Sequence, residues 1–141
     1  MSTTSKIDTL FSGISNTSSY PPHNGLAVGP NNIVMAEGSR IEWTNLAGGA
    51  ATVQSVYSFF SSLGSTATNS LYDPRCIYDS ASGRFIIIME NIGSNGAISN
   101  IDIAVSKDSN PNDGWYFASL NTSLTISGQL TSSDRPSITV D

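Results

Sequence analysis

The stretch that decides the fold is DPRCIYDSASGRFIIIMEN, residues 73–91. It contains two runs rich in β-branched and aromatic residues, separated by the turn-forming segment from Ser80 to Gly83. Such a pattern is typical of a β-hairpin with a short glycine-containing loop. The second run places Ile86, Ile87 and Ile88 in succession, so we expect a strand that is buried on both faces.

Two further strands are predicted directly after this hairpin. The alternating run IDIAVS begins at Ile101, and the run WYFASL begins at Trp115, each preceded by a polar loop. The middle of the chain has no sustained 3.6-residue apolar period of the kind that indicates an amphipathic helix. The prediction is therefore an up-and-down meander of four antiparallel strands.

The same order of runs occurs once earlier in the chain. From Asn24 onward the runs are GLAVGP, NIVMAE and SRIEWTN, followed by a β-prone stretch from Thr52 to Phe60. A third start, PSITVD, stands at residues 136–141. The starts lie about fifty and then about sixty residues apart, at or just above the repeat length of β-propeller blades. We predict an all-β chain of two four-stranded blades and the first strand of a third.

This pattern divides the chain into four predicted parts. An N-terminal arm at 1–20 precedes a first blade with its connecting loop at 21–72, a second blade with its connecting loop at 73–133, and a first strand of a third blade at 134–141. Propellers usually close with about four to eight blades, and an open pair exposes strand edges and an uncovered blade face. We therefore expect an incomplete monomer whose partners are copies of the same chain or further blades.

Charge is sparse and negative, with 12% charged residues and a formal net charge of −5. The few Lys and Arg residues are scattered along the chain, which disfavours nucleic acid as a partner. No apolar run approaches the roughly 20 residues of a spanning helix, so no membrane insertion is expected. A surface rich in Ser, Thr and Asn suits an extracellular protein or one at a cell or virion surface. Residues 1–20 lack the apolar core of a signal peptide, so that location is predicted without a signal peptide in this chain.

Several motifs, in order, resemble those of one known family. They are PPHNGLAVGPNN at 21–32, DPRCIYDSASGRFIII at 73–88, IDIAVSKDSNPNDGWYF at 101–117 and SSDRPSITVD at 132–141. This succession resembles the opening blades of large secreted bacterial β-propeller proteins, a sialidase-like family whose activity is largely unassigned. The chain departs from that pattern at His23, where the family tends to carry an acid, at Phe85, where it has Trp, and at Arg135, where it has Tyr.

The loop SKDSNPNDGW, residues 106–115, resembles a stretched Asp-box of sialidase-type propellers. An Asp-box joins the third and fourth strands of a blade, which is where this loop lies in the predicted meander. The resemblance implies a folding element away from an active site. Asp108, Asn112 and Asp113 in this loop lack the spacing of an EF-hand calcium loop, so turn formation is the favoured interpretation.

Asp73 and Asp134 each lie near a proline at the entrance to a predicted innermost strand. In a propeller such positions converge around the central channel. One interpretation is a calcium or ligand site made of carboxylates from successive blades, because hard cations require several oxygen ligands. The other is a turn in which the Asp side chain caps the strand entrance, and it is favoured. Arg75 and Arg135 beside them complete the set of candidate ligand-binding residues. No cofactor is expected, except calcium if this site binds it.

The remaining candidate residues favour structural roles. His23 is the only histidine, and no nucleophile elbow accompanies it, so we expect a solvated loop side chain and no catalytic residue. Cys76 lies in the alternation of a strand and is expected in the core. A set of four aromatic residues suits either sugar stacking or packing between blades, and packing is favoured: Trp43, Tyr78, Trp115 and Tyr116.

Two functions follow as hypotheses. The first is a non-catalytic extracellular or surface propeller module for glycan or protein recognition. The alternative is the N-terminal portion of a sialidase-like propeller glycoside hydrolase, with most of its catalytic residues in other blades.

Overall fold

A computed structural model describes residues 13–14, 23–64, 69–93 and 98–141. The described part is built mainly from antiparallel strands, arranged as two four-stranded sheets and one short hairpin. The all-β prediction is therefore confirmed. Among the described residues, no helix has the length and apolar character needed to cross a membrane. The predicted arm at 1–20 lies almost wholly outside the described residues.

The first sheet is a meander in chain order. Its strands are β1 (Asn24–Val28), β2 (Asn32–Glu37), β3 (Arg40–Asn45) and β4 (Thr52–Ser55).

The β-prone stretch from Thr52 to Phe60 is a strand only in its first half. After Ser55 the chain turns into a short helix, α1 (Val56–Phe59), which begins where the Ser55 hydroxyl accepts a hydrogen bond from the Ser58 N–H. Such a cap satisfies an N–H that the helix itself leaves unpaired. Val56, Phe59 and Phe60 are all buried, and their three- and four-residue spacing suits one face of a helical turn and not of a strand.

The second sheet is also a meander in chain order. Its strands are β5 (Asn69–Asp79), β6 (Arg84–Gly93), β7 (Ser99–Ser106) and β8 (Trp115–Asn121). Asp79 and Arg84 face each other across the predicted turn, but they do not form the ion pair that this position suggests. Asp79 instead accepts hydrogen bonds from the Ala81 N–H and the Ser82 hydroxyl, and Arg84 donates to the Ser106 carbonyl at 3.1 Å.

The two sheets pack face to face, with β1 against β5. Gly25 and Gly29 lie at this contact. A Cβ atom at Gly25 would come 2.9 Å from the backbone nitrogen of Cys76, and one at Gly29 would come 2.6 Å from the ring of Phe85. Glycine therefore permits a close approach of β1 to β5 at Gly25 and of the turn after β1 to β6 at Gly29.

One apolar core fills the space between the sheets. On β6 the side chains of Phe85, Ile87 and Met89 are fully buried in it. The alternate residues of β6 face the other side of the sheet, where Ile88 is 6% exposed and Ile86 is half-buried. The prediction of a strand buried on both faces is confirmed at Ile87 and Ile88 and only in part at Ile86.

The side of the second sheet that faces away from the first is called the outer face. Strand pairing places on it a set of apolar residues that are half-buried or exposed: Ile77, Ile86, Ile101, Ile103, Val105, Tyr116 and Leu120. Tyr116 is 57% exposed and Leu120 is 55% exposed. The second sheet thus has one fully packed face and one apolar face that is only partly covered.

Residues after β8 form a hairpin that sequence patterns did not indicate. Its strands are β9 (Leu124–Ile126) and β10 (Gln129–Thr131), which pair with each other. Among the described strands, neither they nor residues 132–141 join one of the four-stranded sheets. The predicted first strand of a third blade at 134–141 would pair with strands outside this chain, so that part of the prediction stays untested.

Aromatic residues fill the space between the sheets beside the β7–β8 loop. The rings of Trp43, Phe59, Trp115 and Phe117 contact one another with centroids 5.2 to 6.2 Å apart. Trp43 is 4% exposed, so the packing interpretation is confirmed for this residue. Edge-to-face contacts of this kind add to the stability that burial itself provides.

The β7–β8 loop also links the two sheets through hydrogen bonds to Asn112. The Trp43 indole N–H donates to Asn112 Oδ1 at 2.8 Å, and the Thr52 hydroxyl on β4 donates to the same atom at 3.3 Å. Within the loop, Asn110 Oδ1 accepts from the Asn112 N–H and caps a short 3-10 turn at Pro111–Asp113. The Asp108 side chain accepts from the Asn110 N–H at 2.7 Å. These contacts support the turn-forming interpretation of the loop.

Replacing Asn112 with Ala is expected to lower the free energy of unfolding by about 1–3 kcal/mol, because it leaves the buried Trp43 N–H without an acceptor. Asn112→Asp keeps an acceptor oxygen and serves as the control, with a smaller loss. Chemical denaturation followed by tryptophan fluorescence measures both. Equal stability of Asn112→Ala and the unmodified chain would show that this bond does not hold the sheets together.

Candidate functional site

Three carboxylates come together beside strands β5 and β6 of the second sheet. Asp73, Glu90 and Asp134 each offer an oxygen atom, and these atoms all lie within 4.8 Å of one another. Asp73 comes from β5, Glu90 from β6, and Asp134 from the segment after the β9–β10 hairpin. The structure thus brings together the two acids singled out in the sequence and adds Glu90, which sequence reasoning missed. We call these three side chains the carboxylate cluster.

The sequence suggested that Asp73 lies at a strand entrance, but the structure places it inside strand β5. The pairing of β5 with β6 is interrupted between Tyr72 and Arg75, and Asp73 has a φ of 50° within this irregularity. Positive φ is uncommon in residues other than glycine and costs of order 1–3 kcal/mol. Irregularities of this type re-aim a side chain relative to the regular strand. Here the re-aimed side chain is only 2% exposed.

Glu90 is fully buried, with 0% exposure. It pairs with Tyr72 on β5 and with Ile101 on β7. Neither of its carboxylate oxygens has a hydrogen-bond partner of normal geometry among the described residues, although the Tyr72 and Ser133 hydroxyls lie close enough to act on it. Burial, followed by the charges of Asp73 and Asp134, raises the pKa of Glu90 above its usual range. An ionised Glu90 therefore opposes folding unless a positive charge reaches it.

Tyr72 shares this environment. Burial and the neighbouring carboxylates, Glu90 first among them, raise the pKa of its hydroxyl. Tyr72 is therefore a neutral group that can donate a hydrogen bond toward the cluster.

His23 contacts the cluster, which corrects the expectation of a solvated loop residue. Its Nδ1 atom forms an ion-pair contact with Asp73 Oδ1, and its side chain is 34% exposed. The neighbouring strand β1 packs against β5, and this packing carries the residue before β1 to Asp73. The first and second sheets therefore both contribute to the surroundings of the cluster.

The two arginines singled out in the sequence do not neutralise the cluster. Arg75 donates from its guanidinium to the Pro74 carbonyl at 2.9 Å, and Arg135 is exposed. Within the described ranges neither arginine forms an ion pair with the three carboxylates. The ion pair at the cluster joins His23 and Asp73. A role for Arg75 and Arg135 in ligand binding stays a prediction.

The other candidate residues lie apart from the cluster. Cys76 packs against the core between the sheets, and burial raises the pKa of its thiol to about 12. A thiol with so high a pKa is a poor nucleophile and metal ligand near neutral pH. Tyr116 is exposed, with the Arg84 guanidinium 5.8 Å from its ring centroid.

One sequence signal pointed to Glu90 in retrospect. The run RFIIIMEN at 84–91 is apolar except at its ends, and Glu90 falls before the strand is complete at Gly93. A single acid inside a strand buried on both faces needs a compensating partner. The partners come from positions distant in sequence, which no local pattern could reveal.

Searches against family models, curated proteins and solved structures found no match for this chain. The class of this protein is therefore defined by its fold and by its candidate site. It is an all-β protein in which two packed four-stranded meanders carry a largely buried cluster of three carboxylates.

Proposed function

We propose that the chain is part of a larger β-propeller, and that this propeller is a non-catalytic module for glycan or protein recognition outside the cell or on a cell or virion surface. The observation that carries the proposal is the repetition of one four-stranded meander, with successive meanders stacked face to face. Successive blades of a propeller are arranged in this way. The outer face of the second sheet supports the same arrangement, since it offers an apolar surface to a third meander.

The backbone conformation supports a third repeat at the end of the chain. Asp73 and Arg135 both directly precede a proline, and their φ angles are 50° and 55°. Residues before proline normally favour extended conformations with negative φ, so this shared feature is distinctive. An acid follows six residues later in both cases, at Asp79 and Asp141. The segment at 136–141 is therefore proposed as the first strand of the meander that covers the outer face.

Burial favours recognition over catalysis in this part of the molecule. A glycoside hydrolase places a pair of carboxylates against the scissile bond of its substrate. Glu90 and Asp73 are 0% and 2% exposed, which leaves a sugar no access to their oxygens. The alternative of a sialidase-like glycoside hydrolase would therefore need catalytic residues from elsewhere in the propeller.

The assembled protein should be screened against an array of glycans and, in parallel, against fluorogenic glycosides that include sialosides. We expect saturable binding to a defined set of glycans or to a protein ligand, with no release of fluorophore above the rate of heat-denatured protein. Hydrolysis that survives repurification would replace the recognition proposal with the glycoside hydrolase. Absence of any glycan or protein ligand would contradict the recognition function and leave the fold proposal standing.

A further inference from the structure

We propose that Asp73, Glu90 and Asp134 bind a calcium ion, which holds the segment after the β9–β10 hairpin against β5 and β6. Calcium is coordinated by oxygen ligands at about 2.3–2.6 Å, so two oxygens on one ion lie at most about 5 Å apart. The three carboxylates already offer oxygen atoms within 4.8 Å of one another. One ion can therefore contact all three side chains with little movement of the backbone.

Glu90 supplies the independent argument for a ligand. Its side chain is fully buried in the cluster and both carboxylate oxygens lack a hydrogen-bond partner of normal geometry in the described part of the chain. The Tyr72 and Ser133 hydroxyls close to it are uncharged, and a buried carboxylate without a positive partner is costly, the more so with two further carboxylates beside it. In the described part of the chain, His23 forms an ion pair with Asp73 and not with Glu90 or Asp134. A divalent cation between the carboxylates removes the repulsion and supplies the positive partner.

The donor set favours calcium over other common cations. All three ligands are carboxylates, which suit a hard cation, whereas zinc prefers sites with histidine or cysteine ligands. Cys76 and its thiol lie in the core between the sheets and not in the cluster. Calcium also accepts six to eight ligands in flexible geometry, and Asp134 is exposed, so water can complete the coordination shell. Magnesium demands a near-ideal octahedron, which three carboxylates from separate segments are less suited to provide.

The decisive experiment is isothermal titration of calcium chloride into the full chain after exhaustive chelation, with magnesium and zinc titrated separately. We expect one calcium ion per chain and a rise in melting temperature with calcium concentration. Glu90→Gln and Asp134→Asn should each weaken calcium binding at least tenfold. Asp108→Asn removes an exposed acid from the β7–β8 loop and serves as the matched control with unchanged affinity.

Two measurements keep the test independent of folding. Asp134 is exposed, so Asp134→Asn should fold even if Glu90→Gln does not. Terbium replaces calcium in oxygen sites and emits when a nearby tyrosine is excited, and Tyr72 lies beside Glu90. We expect terbium emission that calcium competes away and that Tyr72→Phe lowers.

Several outcomes would overturn the proposal. These are the absence of calcium binding by the chelated chain, undiminished affinity in both Glu90→Gln and Asp134→Asn, and equal loss of affinity in the Asp108→Asn control. Tighter binding of zinc that is lost in His23→Ala would also overturn it, because the site would then be a nitrogen-ligated one. None of these outcomes depends on whether the chain belongs to a propeller.

Discussion

Replacing Ile87 with Asp is expected to abolish cooperative folding. Ile87 is 0% exposed and lies in the core between the two sheets. The substitution removes an apolar side chain whose burial contributes about 1.5–3 kcal/mol and adds a charge that costs several kcal/mol more when buried without a partner. Natural domains are stable by only about 5–15 kcal/mol, so the loss takes most or all of the folding free energy.

Circular dichroism and thermal melting measure this effect. Ser80→Asp, in the β5–β6 turn of the same sheet, is the matched control, because Ser80 is exposed away from the outer face and the new carboxylate can remain in water. We expect no cooperative transition for Ile87→Asp and a clear one for Ser80→Asp. A soluble Ile87→Asp protein with a cooperative melt would show that the two sheets do not pack as described.

Replacing Leu120 with Asp is expected to weaken self-association of the chain. Under the propeller proposal the outer face is covered by another meander, which buries Leu120 along with Tyr116. Placing a charge there removes a contact worth about 1.5–3 kcal/mol and adds a desolvation cost. The dissociation constant should therefore rise at least about tenfold. Sedimentation velocity over a range of protein concentrations measures the change.

Ser80→Asp provides the comparison for that experiment. Ser80 is exposed in the β5–β6 turn. The Ser80→Asp substitution therefore adds the same charge away from the outer face. We expect its association to match that of the unmodified chain. Equal association of Leu120→Asp and Ser80→Asp would exclude the outer face as the contact surface.

Local patterns were sufficient to predict the order of the strands in both sheets, although β5 begins at Asn69 and not at the predicted start, Asp73. The apolar run around Ile87 and the turn ending at Gly83 specify their hairpin through neighbouring residues alone. The stretch from Thr52 to Phe60 was harder, because β-branched and aromatic residues suit a strand as well as a buried helical turn. There the Ser55 cap and the burial of Phe59 and Phe60 against the second sheet decide the outcome.

The carboxylate cluster was only half predictable. Asp73 and Asp134 stood out because they lie one and two residues before a proline near a repeat start. Glu90 joins them through the pairing of β5 with β6, and His23 through the packing of β1 on β5. Both contacts are long-range products of tertiary structure. The β9–β10 hairpin was missed for another reason, since Leu124, Ile126 and Leu130 are all largely exposed and show no core pattern.

The central claim is that two stacked meanders are part of a larger ring. Besides the outer face of the second sheet, the first sheet exposes Leu26, Val28 and Val53 on its far side. Light scattering coupled to size exclusion chromatography gives the molar mass in solution directly. The propeller account predicts a mass above the 14.8 kDa of one chain, with three copies in a six-bladed ring as the simplest closed form, or aggregation that additional blades suppress. A monodisperse 14.8 kDa monomer that unfolds cooperatively would contradict it and identify the two sheets as a self-sufficient β-sandwich.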